Sequence, residues 1–76
     1  MNQRQLKAIA DAANMIVNGY AFTQGPNGTV RVLNLHDPSR ASLFSAEHEL
    51  LETSMDDIEA KIVRDYLLDN AEFLVA

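Results

Sequence analysis

YAFTQGPNGTVRVLNL, residues 20–35, holds two β-prone runs on either side of an Asn27-Gly28 pair. Both central positions of a type I′ turn need a positive φ, which asparagine and glycine tolerate best, so the pair marks a hairpin. With Asn27-Gly28 as a two-residue loop, Phe22 lies opposite Leu33 and Tyr20 opposite Leu35. Those four share one face, and Phe22 and Leu33 are expected in the core. The other face then carries Ala21, Thr23, Val32 and Asn34, a mixed set suited to half exposure.

Upstream, Leu6, Ile9, Ala10, Ala13, Ile16 and Val17 recur at three- and four-residue spacing. That stripe predicts a helix over 3–18. Asn2 can cap it, with Gln5 three residues on as the capping-box partner, and Gly19 supplies a left-handed stop.

Downstream, residues 36–53 admit two readings. Asp37-Pro38 can open a helix. Yet Ser39, Ser42, Ser45 and His48 weaken helices, which favours a second hairpin of 41–45 against 49–53, turning at 46–48 with Phe44 facing Leu51. The closing segment predicts a helix over 55–74, with Ser54 as its cap and Asp56, Asp57 and Glu59 at the favourable end of its dipole. Its apolar stripe is Ile58, Ile62, Val63, Tyr66, Leu67, Phe73 and Leu74, with Asn70 as a point of fraying. The order helix–hairpin–hairpin–helix predicts an α+β fold. A small antiparallel sheet of up to four strands would carry both helices on one face. From Glu52 to Tyr66 the sequence ETSMDDIEAKIVRDY resembles small uncharacterised bacterial proteins of similar length, a likeness that extends over the 20–35 hairpin. The resemblance implies the same fold and carries no activity with it.

Seventy-six residues are enough for one domain, expected to span 1–76. A chain this short buries only about 60% of its unfolded surface. With no cysteine, disulfides, thiolate metal sites and cysteine nucleophiles are excluded. The polar start, Met1-Asn2-Gln3-Arg4-Gln5, and the shortness of every apolar run predict a cytoplasmic protein without a membrane segment. The net charge of −5 is uneven. Residues 1–45 set Arg4, Lys7, Arg31 and Arg40 against Asp11 and Asp37, giving +2, whereas residues 46–76 set nine acids against Lys61 and Arg64, giving −7. Such a surface repels phosphate backbones, so direct nucleic-acid binding is not expected.

Candidate chemistry is sparse. His36 and His48 are the only imidazoles, twelve residues apart, a spacing that fits no helical metal pair, although a hairpin could bring them closer together. Asp37 could orient His36, but no nucleophile accompanies them. Asp56 and Asp57 lack the calcium-loop pattern and diverge by about 100° on a helix, so capping explains them. The GPNG run has no Walker lysine, and no serine sits in a nucleophile elbow. Neither a cofactor nor a metal is expected, no catalytic residue is assigned, and the chain reads as a non-enzymatic interaction module. A sheet covered on one face seeks a partner for the other, and the apolar tail Phe73-Leu74-Val75-Ala76 exceeds what a frayed terminus needs. The expected partner is a second copy or another protein, with Tyr66, Phe73, Leu74 and Val75 as the candidate interface. The alternative is an acidic decoy that blocks a nucleic-acid-binding protein with its −7 half.

Overall fold

The computed structural model describes residues 2–74. Helix α1 (Gln3–Ala12) opens with the expected capping box: Asn2 Oδ1 accepts from the Gln5 amide at 2.8 Å, and Gln5 Oε1 accepts from the Asn2 amide at 3.0 Å. It is shorter than the periodicity predicts. Asn14 draws the chain into the sheet, its amide donating to the Phe22 carbonyl and its side chain accepting from the Gln24 amide. Strand β1 (Met15–Val17) then pairs antiparallel with β2 (Tyr20–Gln24) through Val17↔Tyr20. The two-residue link is Asn18-Gly19, with φ of +49° and +82°. Gly19 therefore closes a second Asn-Gly hairpin rather than a helix.

The expected 20–35 hairpin forms between β2 and β3 (Val30–Asn34), one residue out of the expected register. Asn27 and Gly28 do take positive φ (+60° and +77°), and the Thr29 amide donates to the Pro26 carbonyl, closing the turn. Thr29 also accepts from the Gly25 amide at 2.7 Å, so Gly25 and Pro26 together oppose one residue. Pro26 has no N–H to give the ladder, and the bulge absorbs it. Phe22 consequently pairs with Val32 and Tyr20 with Asn34, while Leu33 lies opposite Ala21 on the other face. A one-residue slip exchanges faces, and that is what happens to Val32, Leu33 and Asn34.

The 36–53 segment is the second hairpin, β4 (Ala41–Phe44) against β5 (Leu50–Thr53). Ser42↔Thr53 and Leu43↔Glu52 keep the expected register, but a bulge sets Phe44 opposite Leu50, leaving Leu51 exposed. Helix α2 (Asp57–Asn70) is capped by Asp56, whose Oδ1 accepts from the Glu59 amide at 2.8 Å. Ser54, the expected cap, is still in the extended chain. Its hydroxyl donates to the Ser39 carbonyl and its amide to that of Ala41. A 3-10 turn (Ala71–Leu74) follows α2, where Asn70 turns its side chain back on the Tyr66 carbonyl.

The sheet is thus a five-stranded antiparallel meander, β1-β2-β3-β4-β5, not one of up to four strands. Its two helices lie on opposite faces, not on one. Phe22, Val30, Val32 and Phe44 meet Met55, Ala60, Val63, Leu67 and Leu74 in the core under α2. The opposite face presents Ala21, Thr23, Arg31 and Leu33 toward Ile9 and Ala12 of α1. The bulge that moves Leu33 to this face gives α1 its apolar seat. Met15 and Val17 flank the core, so the β1 ladder and their burial together outweigh continuing the helix.

Candidate functional site

The most elaborate polar arrangement surrounds Glu59, among the described residues the one charged side chain in the core layer, at 9% exposure. Tyr20 opens β2 and Asn34 closes β3, and they are cross-strand partners, so the bulged register delivers both side chains to the α2 face. Glu59 is the third residue of α2, aimed at the sheet because Ala60, Val63 and Leu67 fix which side of the helix is buried. Its Oε2 accepts from the Tyr20 hydroxyl at 2.7 Å and from Asn34 Nδ2 at 3.0 Å, and its Oε1 accepts from Arg40 Nη1 at 2.9 Å. Arg40, just ahead of β4, also lies 3.5 Å from Asp37 and 3.7 Å from Asp56.

The electrostatics follow from these contacts. The Tyr20 phenol is pushed up to about 12, first because its proton is held by Glu59, then by burial and by the nearby negative charge. The hydrogen bond and charge of Glu59 raise the Arg40 guanidinium further. The Ser39 hydroxyl bond holds Asp37 below the usual carboxylate range. Both Glu59 oxygens are engaged, and among the described residues no buried side-chain nitrogen or oxygen lacks a partner. The cluster clamps α2 to the β2–β3–β4 end of the sheet, with its phenol protonated at neutral pH. Sequence reasoning placed Glu59 in the helix-dipole group and missed this role. The available signal was a glutamate four residues ahead of Val63, on the buried stripe itself.

The other predicted positions are dispersed. Successive turns of a meander alternate ends, so His36, beside the β1–β2 turn, and His48, in the β4–β5 turn, sit at opposite ends of the sheet. A Cβ on Gly19 would come within 2.8 Å of the His36 ring. The His48 carbonyl accepts from Arg64 Nε. Asp56 is occupied as a cap, and among the described residues no group of three or more histidines and carboxylates is placed to hold a metal. Of the expected interface, Leu74 is 5% exposed within the core, and Tyr66 is half-buried with its ring 6.2 Å from that of Tyr20. Phe73 projects outward at 65% exposure, and Val75 lies outside the described residues. On the α1 face a groove of about 280 Å³ runs between Ile9 and Ala12 of the helix and Ala21 and Leu33 of the sheet. Arg31 lines both this groove and a second hollow of about 330 Å³ over Leu43 and Glu52. Among the described residues no helix is long and apolar enough to cross a membrane.

These features define a small α+β domain, a five-stranded meander with one tightly and one loosely packed helix. The chain belongs to a family of unknown function, DUF7723, whose profile matches residues 3–74. Comparison with curated proteins and with solved structures finds no significant match.

Proposed function

We propose that the protein is a non-enzymatic interaction module that associates with a second copy of itself. The observation that carries this reading is the unequal cover of the sheet. One face is sealed by α2, whereas the other is shielded only in part by α1, a helix with no fully buried residue. A mixed sheet face left partly open, with Leu43 half-buried between exposed Arg31 and Glu52, gains by excluding water against a partner that meets its charges. The Glu59 cluster supports a structural role over a catalytic one, because both carboxylate oxygens are held by donors of this chain. Light scattering after size exclusion tests the reading. A dimer is expected at high micromolar concentration, tightening as salt screens the repulsion between two chains of charge −5. A monomer at both low and high salt would overturn it.

A second reading, the acidic decoy, draws on the exposure of eight of the nine acids in residues 46–76, Glu59 being the buried one. It calls for capture of a basic nucleic-acid-binding protein, released by moderate salt. Self-association alone would sink it.

A further inference from the structure

Arg31, Leu43 and Glu52 form one cross-strand row over β3, β4 and β5, through the pairs Arg31↔Leu43 and Leu43↔Glu52. All three point away from the α2 core. Arg31 and Glu52 are exposed and Leu43 is half-buried. Neither charged residue belongs to an ion pair found among the described residues. Two strand spacings separate them, about 9.6 Å between backbones, with leucine between. Helix α1 packs over β2; Arg31 lines the edge of the groove beneath it yet stays exposed, and Leu43 and Glu52 lie beyond its cover.

We propose that this row is the centre of a two-fold dimer interface in which two copies pack sheet against sheet. This rests on the self-association reading and names its surface. Read across the strands, the row is cation–apolar–anion. A two-fold axis parallel to β4 and above Leu43 turns it into anion–apolar–cation. Each Arg31 then faces the other copy's Glu52, and the two Leu43 side chains meet at the axis. Sheets pack face to face about 10 Å apart, a distance that two long charged side chains and two leucines can fill. An isologous contact must be self-complementary, and this row is. A partner of a single charge would satisfy one end of the row and repel the other. The outer ridge of α2, with Ile58 and Ile62 and continued by Phe73 of the 3-10 turn, is the rival surface, but its acids Asp57, Asp65, Asp69 and Glu72 outnumber Lys61 and Arg64, so a second copy would confront it with net charge of the same sign.

The test is charge exchange read by sedimentation over a concentration series, with circular dichroism melts confirming that each variant folds. Arg31→Glu alone and Glu52→Arg alone should each weaken the dimer by about tenfold or more, since like charges then face each other. Mixing the two single variants should restore association as a heterodimer, because an all-acidic row then meets an all-basic one. The double variant should restore it as a homodimer. A wild-type dimer that both single variants leave intact, or that Phe73→Ser dissociates instead, overturns this surface while the self-association reading stands. A mixture that fails to associate also overturns it. A monomeric wild type overturns both.

Discussion

The two faces of the sheet are built by different means. Under α2, Phe22, Val32, Phe44, Val63 and Leu67 are all but removed from water, and a carboxylate is buried among them with three hydrogen bonds shared over its two oxygens. Under α1, small residues such as Ala21 face half-buried ones, and a groove persists between helix and sheet. Both helices have competent N-caps, so local propensity does not separate them. The difference lies in what each can bury. Most helical stability in proteins comes from the packed face, and α1 has little of one.

The sharpest way to break this contrast is at the centre of the tight side. Phe22→Ala should cost about 3–5 kcal/mol, a large share of the roughly 4–11 kcal/mol available to a domain of this length. A loss under about 1 kcal/mol in denaturant melts would show that α2 does not rest on this residue. Next, Glu59→Ala strands the Tyr20 hydroxyl and the Asn34 amide, and should cost about 1–3 kcal/mol. Near-neutral behaviour would mean that packing alone holds α2. On the loose side, Ile9→Ala should cost no more than about 1 kcal/mol, since the side chain is only half-buried. Hydrogen exchange should find α1 amides opening well before those of α2. Equal protection of the two helices would erase the contrast.

The last effect is confined to alkaline pH. Tyr20 loses its proton at about 12 in the folded protein, against 10.0 for the free side chain. Folding therefore favours the protonated phenol. The stability this adds is fully present below pH 10 and is lost as pH rises toward 12. Phenolate absorbance should show Tyr20 titrating late, and Glu59→Gln should move it earlier.

How far these features could be read in advance depended on whether the deciding interaction was local. The α1 capping box, the turn at Asn27-Gly28 and the 41–53 hairpin were legible, because each depends on residues a few positions apart. Asn18-Gly19 carries the same signal as Asn27-Gly28, but helical spacing runs through Ile16 and Val17, and only pairing with β2 decides against it. The bulge at Gly25-Pro26 was implicit in a proline beside the turn, yet its consequence is the exchange of faces by Leu33 and Val32. The buried stripe of α2 is rotated from the one its helical spacing predicts. Ile58, on the predicted stripe, is 74% exposed, while Ala60 and Glu59 face inward. Hydrophobicity favoured the isoleucine, but the Glu59 partners Tyr20, Asn34 and Arg40 lie 19 to 39 residues away. Neither that ring of donors nor the Arg31–Leu43–Glu52 row exists until the strand registers are set.

The meander has a consequence for the order in which the chain assembles. Each strand lies beside its immediate neighbours in sequence, with no crossover, so every ladder can zip from its own turn without closing a large loop. Hairpins form in microseconds, and the Asn18-Gly19 and Asn27-Gly28 turns give β2 a starting point at both ends. Helix α2 has no such route, since its seat spans strands that must already be aligned. It should therefore dock after the rate-limiting step. Val63→Ala would then speed unfolding while leaving the folding rate nearly unchanged, whereas Val32→Ala would slow folding. A chevron in which Val63→Ala slows folding as much would place α2 in the nucleus.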